Sequence, residues 1–555
     1  MKKNTGTFLT EALIISVSNL ISKVIGVVFR IPLANMLQGN IGIFTAAYSV
    51  YAMLFMLSNA GLPVALSRTV AVAVAKKRRK EEGRVFWAGT LLFGSIGLVL
   101  MGVLIVGADA IANYSEHSEA ALAIRLVAPC LPLVCVSSSL RGYFQGHRIM
   151  LPTAVYHLFE SGFKMIVGLS AAYYAVSHGY SAPVQAAFAI LGITAGGAAG
   201  LVFLIIVKFY YEKNRPSPES LETDDYPTIY KNILRIALPV AATSAALYMS
   251  NFIDTLVIKK GLIASGVSDD VSDRLYTSYT ALTLSVSDLL PATFVYPIAI
   301  SILPHITESF TLGDHKKTRE YMNLSLRISA IIGLPCAALM CAVARPALVV
   351  LYGAGWGKTQ FIWNNTRYWS VDVAANGLQI LSAGIVLISL LSTANSLLPA
   401  VKRPLLTTLS VCTGVAALTV TEIVLIRVPS VGIYGAPIAS VVCYAVALAM
   451  DLHFLKKLKY VVVSYADMFA KPLLCASLGG LSAIGTVTLV SRLVTENTRV
   501  GSFIMTCAGG SVGAAVYAVT LLAFKGITAE EIRLLPKGKK LCAFMIKKGW
   551  ITEKG

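Results

Sequence analysis

Charged side chains inside long apolar stretches are the residues of this 555-residue chain best placed to do chemistry. At 1.5 Å of helix rise per residue, Lys23 lies about 21 Å into the first such stretch. Glu160 and Lys164 lie about 12 and 18 Å into a later one, and their spacing of four puts them on one helical face. Asp288 lies about 18 Å into another, three residues before Pro291, where the helix backbone can open. A charge at the centre of a bilayer costs about 2.5–3.5 kcal/mol, so each needs a counter-ion, water or a ligand.

These residue types favour recognition of an anion. Ammonium and guanidinium groups form charge-assisted hydrogen bonds with phosphate, so a pyrophosphate-bearing substrate is the first candidate for Lys23 and Lys164. Glu160 and Asp288 can balance those cations or bind a coupling ion, H⁺ or Na⁺. For Glu160 and Lys164, a structural ion pair between helices is the alternative to a cavity wall.

Four more charged residues lie nearer the ends of apolar stretches. For Arg30 and Asp254, snorkelling to the membrane interface competes with a place in the same site, Arg30 with the cations and Asp254 with the carboxylates. Glu422 and Asp451 are expected to be interfacial.

The composition excludes most soluble classes. The chain is 56% hydrophobic and 14% charged, whereas soluble domains carry roughly 25% charged residues. Its mean hydropathy is +0.71. The nine cysteines form no CxxC pair, which argues against a zinc or redox motif and leaves them as small buried hydrophobes. We therefore expect a multi-pass membrane protein.

A bilayer core requires about 20 apolar residues per helix, and about fourteen stretches qualify. They are 9–29, 43–67, 85–107, 120–140, 152–175, 184–207, 232–257, 276–303, 323–344, 371–393, 405–426, 434–455, 468–490 and 501–524. We take the first as a span and not a cleaved leader, because it contains charged residues and lacks a small-residue cleavage site. The fold class expected is all-α.

The net charge of +19 follows from topology. With the N-terminus inside, about 33 of the 47 Lys and Arg fall on the inner side and about 10 in outer loops. This bias predicts both termini in the cytoplasm and makes nucleic-acid binding an unnecessary explanation.

Internal similarity predicts two lobes in parallel orientation. Gly61-Leu62-Pro63 ends the second stretch and Ile302-Leu303-Pro304 ends the eighth, each followed by a Lys-Lys pair at nearly the same distance. The expected parts are an N-terminal lobe (1–207), a cytoplasmic linker (208–231), a C-terminal lobe (232–455), an extra helix pair (456–524) and a basic cytoplasmic tail (525–555).

Catalytic motifs give no support for an enzyme. The segment Gly353 to Thr359 resembles a phosphate-binding loop, but Tyr352 stands where its first glycine is required. Histidines are scattered, and the loops leave no room for a soluble catalytic domain. We expect neither a metal nor a cofactor.

Several motifs resemble those of stage V sporulation protein B-like proteins, a polysaccharide branch of the multidrug/oligosaccharidyl-lipid/polysaccharide (MOP) exporter superfamily that is related to the lipid II flippases. The matching segments are Ser22–Gly26 with Arg30, Gly61–Arg68, Arg141–Gly146 (RGYFQG), and Met150–Ala154 followed by Glu160. The resemblance extends over essentially the whole chain and is strongest in the first half.

The resemblance implies a fourteen-helix, two-lobed flippase that moves undecaprenyl-pyrophosphate-linked sugars outward across the bacterial plasma membrane. In the related lipid II flippases, arginines of the first span line the cavity, and the resemblance puts Lys23 and Arg30 in the matching region here. Lys164 matches a position that is commonly basic after the glutamate. Its partners would be the lipid-linked sugar, membrane lipids and the cell-wall synthesis machinery; a monomer is compatible with the sequence.

Two other functions compete. A cation-coupled multidrug antiporter of the same superfamily typically has twelve spans and an acidic cavity, so the last two stretches and the two buried lysines argue against it. A membrane-embedded glycosyl- or acyltransferase needs a convergent catalytic set, and the sequence offers none.

Overall fold

The structure, a computed structural model, describes residues 2–213, 223–287, 289–295, 302, 306–356, 360–460, 469–524 and 526–528. Over this part the chain is nearly all helical and divides into two compact units, Met1–Gly261 and Leu262–Gly555. The lobe limits expected from the sequence remain a prediction.

The first unit is built from eight helices, of which the last extends three residues into the second unit. They are α1 (Lys2–Leu37), α2 (Ile41–Ala75), α3 (Arg79–Tyr114), α4 (Ala121–Val127), α5 (Cys130–Gly146), α6 (Leu151–Ser177), α7 (Ala182–Lys213) and α8 (Tyr226–Ala264), with short 3₁₀ turns at Gln38–Asn40 and Ser118–Ala120. Helix α3 has 36 residues and is about 54 Å long, so it extends beyond a bilayer core.

Two motifs found separately in the sequence pack on each other in this unit. A Cβ atom on Gly142 of α5 would lie 2.9 Å from the carbonyl oxygen of Pro63 and from the Cβ of Leu66 on α2. One on Gly146 would lie 2.7 Å from the Cβ of Val70. The glycines of the RGYFQG motif therefore allow α5 to approach the second motif closely, as small residues do between membrane helices.

Over its described residues the second unit consists of helices and one hairpin. The helices are α9 (Asp269–Thr277), α10 (Leu284–Ser287), α11 (His315–Tyr352), α12 (Ser370–Ala400), α13 (Pro404–Ile426), α14 (Gly435–Lys457), α15 (Lys471–Ser491) and α16 (Arg499–Ala523). Strands β1 (Phe361–Trp363) and β2 (Thr366–Tyr368) pair antiparallel, with Trp363 opposite Thr366. A 3₁₀ turn, Gly432–Tyr434, precedes α14.

Helix starts in this unit follow local chemistry. At the start of α11 the Asp314 carboxylate accepts a hydrogen bond from the backbone N–H of Lys317 at 3.0 Å, which lowers the pKa of this exposed carboxyl. Helices α13 and α15 have proline within their first two positions, where the missing N–H is not needed. Apolar side chains of α11, α12 and α14 form one continuous cluster, including Leu326, Leu397 and Leu448.

Among the described residues, ten helical stretches are long and apolar enough to cross a membrane, and the first of them, Val17–Ala75, comprises α1 and α2. Most of the sequence-predicted spans coincide with helices, but the fourth, 120–140, is divided between α4 and α5 by a turn at Ala128–Pro129, and the eighth, 276–303, is irregular. There α9 passes into a π-helix, Ser278–Thr283, then α10, then a second π-helical segment, Pro291–Val295. Hydroxyl groups explain part of this irregularity, because Thr283 donates to the carbonyl oxygen of Ala374 on α12 at 2.9 Å.

Arg141 belongs to α5, and only 2% of its surface is exposed. Residues 349–352 form the last turn of α11, which ends before Gly353, whose φ is +87°.

Candidate functional site

Helix α1 presents two different exposed sides. One side is apolar, and its members are exposed by 42–53%: Val17, Ile21, Val24 and Val28. The opposite side carries Asn19, Lys23, Gly26 and Arg30, which recur every three or four residues. Asn19 and Lys23 are exposed, and a Cβ on Gly26 would meet no atom within 4 Å. We call this second side the polar stripe; it is too polar to face lipid tails.

Helix α6 packs between these two sides of α1 and runs parallel to it. The Ser18 hydroxyl donates to the carbonyl oxygen of Ala154 at 2.5 Å, and the Ser22 hydroxyl to that of His157 at 3.0 Å. This register puts Lys23 at the same level as Glu160. Depths counted along the sequence, about 21 Å for Lys23 and about 12 Å for Glu160, do not show this match; the register of the two helices does.

Helix α7 fixes α6 from the other side through glycines. A Cβ on Gly192 would lie 2.6 Å from the carbonyl oxygen of Lys164, and one on Gly196 would lie 2.4 Å from that of Glu160. One turn further, Gly200 accommodates the ring of Tyr156. The glycine at every fourth position of α7 thus allows close packing against α6, which fixes the backbone that carries both charged residues.

Glu160 is paired with His157, not with Lys164. The His157 Nδ1 lies 3.6 Å from a Glu160 carboxylate oxygen, and Arg141 and Lys164 add positive charge nearby. The ammonium of Lys164 lies 5.7 Å from the centre of the Phe29 ring on α1. Although Glu160 and Lys164 lie on one helical face, their side chains therefore contact different partners.

The guanidinium groups near this site lie over aromatic rings. Arg30 lies 5.5 Å from the centre of the Tyr48 ring on α2. Arg141 lies 4.7 Å from the centre of the Tyr156 ring and donates to the Ser138 hydroxyl at 2.8 Å. Ring contacts of this kind attract a cation and hold it in place.

His157 and Arg141 are the members of the site that the sequence reasoning missed. The three-residue spacing between His157 and Glu160 was the available signal, since it puts the two on one helical face. Arg141 begins the RGYFQG motif, but the motif alone does not show that its side chain lies near Glu160.

The remaining candidates that the structure describes, Asp254, Glu422 and Asp451, lie on other helices. Asp254 on α8 is 3% exposed, so it does not snorkel into water. Asp288 lies outside the described residues. Glu422 and Asp451, expected at the interface, are completely buried on α13 and α14. Over the described ranges, no three His, Cys, Asp or Glu side chains group as metal ligands.

Comparison with known proteins identifies the family. The model of the polysaccharide biosynthesis protein family matches residues 8–309. Among curated proteins of Bacillus subtilis (strain 168), the chain is 25% identical over 551 residues to the uncharacterized membrane protein YabM, covering 96% of each. It is 23% identical to stage V sporulation protein B, over 96% of this chain and 98% of the relative. It is 24% identical to the lipid II flippase MurJ, over 92% and 93%.

Solved structures show the same fold. The inward closed conformation of the lipid II flippase MurJ superposes with a TM-score of 0.65 at 13% identity, over 92% of this chain and 98% of that one. A multidrug resistance MATE family transporter of the MOP superfamily, in its inward-facing conformation, gives 0.64 at 13% identity, over 81% and 98%. The chain is a multi-pass membrane protein that belongs to the polysaccharide biosynthesis protein family and has the fold of the MOP-superfamily transporters.

Proposed function

We propose that this chain is a flippase that carries a lipid-linked saccharide, attached through pyrophosphate to a prenyl lipid, from the inner to the outer leaflet of the bacterial plasma membrane. The polar stripe of α1 is the observation that carries the proposal. It brings Lys23 and Arg30 to one polar side of a helix, and the register with α6 puts Lys23 level with Glu160. Cationic groups at membrane depth suit a doubly charged phosphate headgroup.

The protein acts on this substrate by binding and reorientation, with no bond made or broken. The cations bind the headgroup on the cytoplasmic side, and a change between inward-open and outward-open states exposes it on the other side. The names of two relatives, a lipid II flippase and a sporulation protein, agree with a cell-envelope precursor as cargo. The excess of Lys and Arg in one set of loops supports cytoplasmic termini.

A cation-coupled multidrug antiporter is the second candidate, because a MATE transporter shares the fold. That function needs an acidic cavity for cationic drugs. The carboxylate next to the stripe, Glu160, is already paired with His157, and Arg141 and Lys164 add further positive charge. The electrostatics of this site therefore favour an anionic substrate.

The test is complementation of bacterial cells depleted of their lipid II flippase, combined with measurement of lipid II exposed on the outer surface. Lys23→Ala and Lys164→Ala should each lower the flipping rate on the order of 10- to 100-fold, the equivalent of the roughly 1.5–3 kcal/mol of a hydrogen bond to a charged group. Lys23→Arg should retain most activity. Lys76→Ala, which removes the same charge from an exposed turn, serves as the matched control and should act as wild type.

Rescue at the wild-type level by both Lys23→Ala and Lys164→Ala would refute the proposed cationic site. Efflux of cationic drugs, unchanged when precursor synthesis is blocked, would favour the antiporter instead.

A further inference from the structure

A pocket of about 210 Å³ opens among three loops at one end of the second unit. The loop after α8 contributes Ser265 and Ser268, the hairpin contributes Trp363 and Asn364, and the turn before α14 contributes Gly432. Its lining residues belong to elements that have no part in the cationic site.

Two contacts fix the hairpin against the turn and so give the pocket its form. The Asn364 amide donates to the carbonyl oxygen of Pro429 at 2.8 Å. Trp363 is 5% exposed, and a Cβ on Gly432 would come within 2.5 Å of its indole. Glycine is required at position 432 both for this contact and for its φ of +50°. The pocket is therefore a built feature of the loops.

The lining of the pocket is polar but uncharged. None of its ten residues is Asp, Glu, Lys, Arg or His. The Ser268 side chain makes no hydrogen bond to the helix that it precedes, while Val271 and Ile362 add apolar surface. Among these lining residues a phosphate has no cation to bind and a drug cation has no carboxylate. A sugar ring, with hydroxyl groups at its edge and C–H groups on its faces, matches both kinds of surface.

The volume of the pocket and its position at one end of the second unit agree with a sugar ligand. Small-molecule sites of drug size span about 300–1,000 Å³, so this pocket accommodates about one ring. The opposite end of the unit carries the basic turns, with Lys317, Arg403 and Lys457 at or near the ends of their helices. By the positive-inside rule the pocket end faces the outside.

We propose that this outer-loop pocket binds one uncharged sugar ring of the exported saccharide. That the bound ring belongs to the exported saccharide rests on the proposed function, whereas the presence of a saccharide site does not. Binding a ring of the headgroup on the outer side favours its departure from the cationic site and hinders its return.

The test measures saturation-transfer NMR of the full-length protein in detergent micelles with N-acetylglucosamine, glucose and glucose 1-phosphate. The two uncharged sugars should give signals in the wild type, and glucose 1-phosphate a weaker one. Ser268→Phe, which fills the pocket from an exposed position, should weaken binding at least tenfold. Thr366→Phe, also exposed on the hairpin but outside the lining, should bind within twofold of wild type.

Because a bulky substitution can disturb folding, Ile362→Glu provides a second variant. Ile362 is 60% exposed, so the change adds a charge without emptying a core, and it should also abolish the signals. Equal binding by both pocket variants, stronger binding of glucose 1-phosphate, or no sugar binding by the wild type would overturn the proposal. Sugar binding without flippase rescue refutes the proposed function alone, and rescue without sugar binding refutes the pocket alone.

Discussion

Glu160 is the residue on which the electrostatics of the cationic site depend. Its carboxylate lies among one histidine and two permanent cations, His157, Arg141 and Lys164. Removing it leaves like charges facing each other in a place with little water. A carboxylate in this position therefore stabilises the protein while keeping the site cationic overall.

A double-mutant cycle tests this role. Glu160→Gln should lower the free energy of unfolding in mixed micelles by about 1–3 kcal/mol, because neighbouring donors lose a charged acceptor. His157→Gln should cost less, and the coupling between the two changes should be about 1 kcal/mol. Glu116→Gln, in an exposed turn, is the control and should stay within about 0.5 kcal/mol of wild type. Strict additivity of the two single changes would show that the pair contributes no interaction energy.

At this scale the sequence identifies charges that stand alone in apolar stretches, but not the residues that neutralise them. Lys23, Glu160 and Lys164 were conspicuous for that reason. The pairing of Glu160 with His157 depends on side-chain rotamers and on the neighbouring helix, which spacing alone leaves open. The ring of Phe29 beneath Lys164 comes from a helix more than a hundred residues earlier.

Glycines determine how closely the helices of the first unit approach. Gly142 and Gly146 on α5 contact α2, while Gly192 and Gly196 on α7 contact α6. A membrane provides no hydrophobic drive for helices to associate, so close van der Waals packing at such residues stabilises the bundle.

Substitution of these glycines should therefore be costly in a position-dependent manner. Gly142→Val should destabilise the protein by about 1–3 kcal/mol through overpacking, because the new side chain meets backbone atoms of Pro63. Gly102→Ala on α3, where a Cβ meets nothing within 4 Å, should be neutral or slightly stabilising. Melting temperatures of the two variants in the same detergent give the comparison. An unchanged melting temperature for Gly142→Val would contradict the tight crossing.

Helices that contain a long apolar run could be predicted from the length of that run, whereas short elements could not. Long runs such as 371–393 lie inside longer helices because the backbone must bond to itself in lipid. The hairpin was missed because each strand has only three residues. Its signal was the pair Asn364-Asn365 between β-forming side chains, since both residues adopt positive φ, +48° and +60°.

At the scale of the whole molecule, charge asymmetry sets the direction of transport that we propose. We expect the loops rich in Lys and Arg to remain in the cytoplasm, because such segments cross the membrane poorly during insertion. In the second unit these loops lie opposite the pocket. If the pocket end faces outside, the outer-loop pocket receives the headgroup after transport. If it faces the cytoplasm, the pocket meets the headgroup before transport.

Single cysteines in a background lacking the nine native ones can establish this orientation. A membrane-impermeant maleimide applied to intact spheroplasts should label Ser430→Cys and Glu116→Cys, both at exposed turns. Lys76→Cys and Lys456→Cys, also exposed, should be labelled at least tenfold less until the membrane is permeabilised. The reverse pattern would put the pocket in the cytoplasm and contradict an outward flippase. Labelling of Glu116→Cys but not of Ser430→Cys would mean that the two units insert with opposite orientation, which a parallel repeat forbids.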